Sequence, residues 1–170
     1  QPATGADGDD NAGTPDDEDG VILTAIAASS CGTTTASVTV DLQNADPSSN
    51  RLDAWIDFNR DGDWDDDGEQ IFASYDLGTA AGVQSLPFTV PQDTGENVVG
   101  GTTYARFRLS TAGGLLPTGR ARDGEVEDYQ LTIHAHVAGR HVFYNRSAWD
   151  GDDAAADVAD DRAIAADKSA

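Results

Sequence analysis

The stretch that decides the fold runs from Arg51 to Leu77, "RLDAWIDFNRDGDWDDDGEQIFASYDL". Its centre, Asp57 to Gln70, holds seven acidic side chains in fourteen residues with a single Arg. Like charges at such range repel, so the run needs a reason to exist between two apolar segments. From Asp57 it spells D-x-N-x-D-G-D-x-D. Oxygen donors at positions 1, 3 and 5 of a tight loop converge on one point, Gly at position 6 permits the reversal, and position 7 offers a backbone carbonyl, as in a calcium loop between helices. Such a loop also needs a bidentate Glu at position 12. Here position 12 is Gly68, Glu69 comes one step later, and the leading flank alternates, with Leu52, Ala54, Ile56 and Phe58 on one face. The stretch therefore reads as a calcium loop joining two β-strands. The expected ligands are the side chains of Asp57, Asn59 and Asp61, the Asp63 carbonyl, and Glu69, with Asp65 acting through water. Asp66 and Asp67 read as outer or solvated charge. Magnesium fits less well, because it takes fewer protein ligands. The competing reading is a merely solvated acidic hairpin.

The same period-2 pattern recurs on both sides of the loop. "VILTAIA" at Val21 reads as a first strand, and Ala36, Val38, Val40 and Leu42 share one face of the next. "EQIFASYDL" resumes after the loop, and Pro87 marks "VQSLPFTVP" as an edge or bulged strand. In "TTYARFRLST", Ala105, Phe107 and Leu109 point one way, and Tyr104, Arg106 and Arg108 the other. "EVEDYQLTIHAHV" closes the series, with Tyr129, Leu131 and Ile133 aligned. Without an amphipathic helix between them, these segments predict an all-β protein, an antiparallel Ig-like β-sandwich of seven to eight strands over residues 21–138. Residues 1–20 read as an acidic arm or linker, and 139–170 as an arm or the junction to a further module, so the sandwich carries extended acidic segments at both ends.

Ten Lys and Arg stand against 31 Asp and Glu, a net charge of −21. That balance argues against a nucleic-acid partner, whose phosphates demand basic surface, and against charge-driven adhesion to anionic membranes. No apolar run reaches the roughly 18 residues of a membrane span, so no membrane insertion is expected. The absence of Met and the start at Gln1 read as a processed or excised chain, its signal peptide already removed. Cys31, the single cysteine, reads as a small half-buried residue, with a bridge between chains as the alternative.

Asp123, Glu125, Glu127 and Asp128 form a second acidic cluster. Pairing with Arg106 and Arg108 across strands is its plain reading, and a second calcium site its sharper one. His134 and His136, with His141 nearby, could share a zinc but lack a further ligand at a diagnostic spacing. "DGDDN" at Asp7 and "DGDD" at Asp150 echo the acidic loop with fewer donors, and "NRS" at Asn145 is a formal glycosylation sequon. No nucleophile elbow, P-loop or dinucleotide fingerprint is present.

"AWIDFNRDGDWDDDGEQIF", "TTYARFRLST" and "GRARDGEVEDYQLTI", in that order and preceded by "DDEDGV" at Asp16, resemble the GEVED domain family of large secreted bacterial proteins. The name motif stands verbatim at Gly124 to Asp128. The tail is similar to junctions in planctomycete-type surface proteins. The resemblance implies a sandwich module of a multidomain protein, secreted or at the cell surface, with calcium as ligand; it does not imply a known catalytic activity. The expected function is therefore a non-enzymatic structural or adhesion module that assembles with other protein chains, copies of itself included, in a surface protein or fibre. The alternative is a carbohydrate-binding accessory module, which needs an exposed aromatic platform built from Trp55, Trp64, Tyr75, Tyr104 or Trp149.

Overall fold

Residues 20–134, 142–143 and 164–165 are described by a computed structural model of the chain. The chain divides into two units, Gln1–His136 and Val137–Ala170. In the first, the strands are β1 (Val21–Leu23), β2 (Ile26–Ala27), β3 (Thr34–Leu42), β4 (Arg51–Ile56), β5 (Gln70–Asp76), β6 (Gly82–Val90), β7 (Gly101–Ser110) and β8 (Glu125–His134). In the second, β9 (Val142–Phe143) pairs antiparallel with β10 (Ile164–Ala165). The described residues contain no helix. The arm 1–19, His136, His141, Asn145, Trp149 and the acidic segments at Asp7 and Asp150 lie outside the described residues.

The first unit is all-β and sandwich-like, with a three-stranded sheet β1-β3-β6 and a five-stranded sheet β2-β8-β7-β4-β5. Alternation does the work expected of it. Val38, Val40 and Leu42 of β3, with Leu86, Phe88 and Val90 of β6, share one core with Leu52, Ala54 and Ile56 of β4, Ala105 and Phe107 of β7, and Leu131 and Ile133 of β8. Burying each of the Val, Leu, Ile and Phe side chains among these contributes about 1.5–3 kcal/mol. Pro87 sits on edge strand β6, opposite Ser37, where a missing N–H is tolerated.

Two expectations are corrected. "VILTAIA" is not one strand but two, in opposite sheets. β1 pairs antiparallel with β3 (Val21↔Val40), and β2 pairs parallel with β8 (Ile26↔Ile133), so the arrangement is not wholly antiparallel. Val21 and Ile26 are both buried yet five residues apart. An unbroken strand would send them to opposite faces; crossing from one sheet to the other lets both point into the core.

The second correction concerns β4, which alternation gives one solvent face. Asp53 and Trp55, on the side away from Leu52 and Ala54, are only 1% and 3% exposed. The segment 111–124 straps over this side. Arg108, itself 3% exposed, donates from its guanidinium to the carbonyls of Leu116 (2.5 Å), Thr118 (3.3 Å) and Gly119 (2.8 Å). Arg108 was expected to pair with an acid of β8; instead it holds the strap through carbonyl oxygens. The Asp53 carboxylate accepts the N–H of Leu115 in the strap (3.1 Å) and of Ser74 in β5 (2.7 Å), where the β4–β5 register shifts.

Candidate metal centre

The acidic run connects β4 to β5, and its base is pinned before its charges matter. Phe58 fills the core at 0% exposure while its carbonyl accepts the Val99 N–H (2.8 Å). Asp57 donates its N–H to the Tyr104 carbonyl (3.1 Å), and its own carbonyl accepts the Thr103 hydroxyl (2.5 Å). The Ile56 N–H meets the Glu69 carbonyl (2.9 Å) and closes the neck. The Asp57 side chain, 4% exposed, accepts the Arg60 N–H on Oδ1 (2.5 Å) and the Gly62 N–H on Oδ2 (3.2 Å). Gly62 has φ 97°, the reversal that the pattern reserves for glycine.

Beyond Gly62 the loop curls by side-chain capping of its own backbone. Asn59 Oδ1 accepts the Asp61 N–H (3.0 Å), Asp61 Oδ1 that of Asp63 (3.2 Å), and Asp63 Oδ1 that of Asp65 (3.0 Å). Each is the two-residue capping turn that Asn and Asp favour. A turn from Asp66 to Glu69 then brings the chain back: the Glu69 N–H bonds to the Asp66 carbonyl (3.2 Å), with Gly68 at φ 93° in its third position. As a result, carboxylate oxygens of Asp61, Asp63 and Asp66 all lie within 4.8 Å of one another, exposed to solvent. Asn59 Nδ2 donates to Asp66 Oδ2 (2.6 Å) and Asp61 Oδ2 (3.2 Å).

Among the described residues, no basic side chain forms an ion pair with this group. Arg60 turns away, donating to the carbonyls of Thr102 (2.8 Å) and Gly100 (2.9 Å). Among the described residues the ion pairs are Arg51–Asp76 and Arg106–Asp128, neither of which uses a loop carboxylate. Three unpaired charges at this spacing repel by about 1 kcal/mol per pair even in water. The donor set fits a hard cation: calcium binds oxygens at ~2.4 Å, so two donors across one ion stand roughly 4.8 Å apart.

Of the expected ligands, the structure brings Asp61 and Asp63 together, with Asn59 against them; Asp63 presents its carboxylate. Asp57 and Glu69 are buried at the loop's base, Glu69 at 2% exposure. Glu69 Oε1 accepts the Phe58 N–H (3.0 Å), and Oε2 is buried without a hydrogen-bond partner among the described residues. Burial pushes the Glu69 carboxyl up to about 7; the Phe58 amide opposes this and the Asp57 charge adds to it. Burial likewise raises Asp57. Asp66 was read as outer charge but joins the cluster. "DDGE" is a turn signal, and the turn it makes carries Asp66 back to the loop.

The second acidic cluster does not converge. Asp123 caps the strap by accepting the Thr111 N–H (3.0 Å) and hydroxyl (2.7 Å). Asp128 takes the Arg106 guanidinium in a two-point pair, 2.6 and 2.5 Å. Glu127 accepts the Tyr129 hydroxyl, which in turn accepts the Val21 N–H from the other sheet (3.2 Å). Glu125 and Glu127 border a cleft between β3 and β8 floored by Val40, Leu42 and Phe107. Gly124 enters β8 at φ 90°, and a Cβ there would collide with the Leu109 carbonyl.

Arg106 also stacks on Trp64, its Cζ 4.6 Å from the ring centroid. The acidic loop, β7 and the Gly124–Asp128 motif therefore meet at one guanidinium. Trp64 and Trp55 are buried at 8% and 3%, which removes both from an exposed aromatic platform; Tyr75 is 39% exposed. Cys31 is exposed rather than half-buried, and so is His134.

Residues 51–132 match the family model of the GEVED domain. The match begins at the first residue of β4 and ends within β8, so it takes in the acidic loop, the strap and the name motif. No curated protein and no solved structure matches the chain.

Proposed function

We propose that this chain is a non-enzymatic, calcium-binding structural module of an extracellular protein, and that the β4–β5 loop is its cation site. The observation that carries the reading is the convergence of Asp61, Asp63 and Asp66 within 4.8 Å, without a basic partner among the described residues. Asn59 bridges Asp61 and Asp66 through its Nδ2, and Asp57 orders the loop from beneath. All three carboxylates are exposed. Water fills the remaining positions around the ion, so the affinity belongs with the ~10⁻⁴–10⁻³ M of extracellular modules. Such a site fills where calcium is abundant, which supports secretion or surface display.

The role is mechanical. A bound ion cancels the loop's repulsion and stiffens the connection that Trp64 ties to Arg106 and thence to Asp128. The acids of the name motif support the non-enzymatic reading, because Asp128 and Glu127 serve a strand pair and an inter-sheet contact. Calorimetric titration of the full chain with calcium tests the site. The expected result is binding in the range above, lost in Asp63→Asn; equal titrations for the two proteins would overturn it.

A further inference from the structure

The strap over the five-stranded sheet carries a charge that most of the chain lacks. Residues 97–122 hold four Arg and no acid, in a chain of net charge −21. Among the described residues, Arg51 pairs with Asp76, Arg106 with Asp128, and Arg60 and Arg108 donate to carbonyls. Arg120 and Arg122 remain. Both are exposed, and neither side chain forms an ion pair or a hydrogen bond among those residues. They follow a turn that is already fixed: Arg108 holds the carbonyls of Leu116 (2.5 Å) and Gly119 (2.8 Å), and Arg106 that of Pro117 (3.0 Å). The acids bordering the strap are engaged. Asp123 accepts the Thr111 N–H and hydroxyl, Asp128 takes Arg106, and Asp53 accepts the backbone N–H groups of Leu115 and Ser74. Arg122 acts on neighbouring Asp123 through its field. Leu116 is 73% exposed, and Val126, opposite Arg108 in the β7–β8 register, is 50% exposed. The face thus presents two guanidinium groups beside two exposed apolar side chains.

We infer that this strap receives the acidic N-terminal segment of a second copy of the chain, whose carboxylates meet Arg120 and Arg122. Residues 1–20 contain seven acids and no base. Two chains of charge −21 repel in most orientations, and bringing the strap to this segment is an approach that their charges favour. Guanidinium and carboxylate join in two-point, charge-assisted hydrogen bonds. Leu116 and Val126 offer apolar surface to the segment's Ala, Pro and Thr, which a polyanionic glycan would not use. The chain's own segment is poorly placed for this. It enters at Gly20, beside β1 in the other sheet, where an added Cβ would stand 3.3 Å from the Glu127 carboxylate. It would have to pass that acidic edge to reach the outer face. Strap and segment are different patches of one chain, so the contact is head-to-tail and repeats into a ring or a filament. None of these residues belongs to the β4–β5 loop, so the inference goes beyond the cation reading and stands or falls without it.

The test is sedimentation velocity of the full chain over a range of protein concentrations, in excess chelator. The expected result is concentration-dependent assembly in dilute salt that weakens about tenfold or more at roughly 0.5 M salt. Two full-length variants separate the halves of the contact: Arg120→Glu/Arg122→Glu, and Asp7→Asn/Asp9→Asn/Asp10→Asn/Asp16→Asn/Asp17→Asn/Glu18→Gln/Asp19→Asn. Each should stay monomeric alone, and the two should pair when mixed, because each keeps the half that the other lacks. Pairing in the mixture also shows that both variants are folded. A natural chain that is monomeric at every concentration overturns the inference, and so does unchanged assembly of the Arg variant or a mixture that fails to pair. Retention of a monomeric natural chain on a sulfated glycan matrix, lost in the Arg variant, would assign the strap to a polyanionic glycan and overturn it as well.

Discussion

Asn59 donates its side-chain N–H to Asp66 across seven residues, at 2.6 Å, and the same amide nitrogen reaches Asp61 at 3.2 Å. A neutral amide with its donors pointed at two carboxylates stands where positive charge is wanted. Asn59→Asp would replace those donors with a further negative charge. The calcium-free protein should lose about 1 kcal/mol, while the calcium-bound protein gains a stronger ligand. Melting the variant in chelator and in calcium checks this: the gap between the two temperatures should widen relative to the natural chain.

Removing a clustered charge should act with opposite signs in the two states. Asp66→Asn relieves repulsion when no cation is bound, so its melting temperature in chelator should hold or rise. In calcium it loses a ligand, and affinity should fall about tenfold or more, equivalent to roughly 1.4 kcal/mol. Paired chelator and calcium melts, with a calcium titration, read both effects.

Glu69 sets a pH dependence. Its folded-state value near 7 stands above its ordinary 4.5, so between these values the folded chain binds more protons than the unfolded. Stability of the calcium-free protein therefore falls as pH rises from about 4.5 through 7. Asp57 shifts the same way. Urea unfolding in chelator at pH 5 and pH 8 should show greater stability at pH 5, and Glu69→Gln should shrink the difference.

Arg106 serves three partners at once: the Asp128 carboxylate, the Pro117 carbonyl (3.0 Å) and the Trp64 ring. Lysine keeps the charge but loses the planar fork and most of the stack. Arg106→Lys should destabilise the chain by about 1–3 kcal/mol, measured by urea unfolding in calcium. Because Trp64 belongs to the acidic loop, the variant should also weaken calcium binding.

Much of this architecture was legible in the sequence because it rests on period-2 burial. Val38, Val40 and Leu42, or Ala105 and Phe107, needed nothing beyond alternation. What alternation could not show was a segment folded back over an outer face. Asp53 and Arg108 look solvent-facing by period, and only the strap over them, held through carbonyl oxygens, makes them interior. The sheet change between β1 and β2 was hidden for a related reason: a short apolar run says how much is buried but not in which layer. Within the site, the D-x-N-x-D-G spacing located Asp61 and Asp63, while Asp66 depended on the turn at Gly68. The Trp64–Arg106 stack joins residues more than forty positions apart, which local pattern does not reach.

The central claim is that calcium stabilises this sandwich through the β4–β5 loop. Its most direct test is the melting temperature of the full chain in millimolar calcium and in excess chelator, beside Asp63→Asn under the same conditions. The account predicts a clear rise with calcium for the natural chain and a much smaller one for the variant. An unchanged melting temperature for the natural chain, or an equal rise in both, would contradict it.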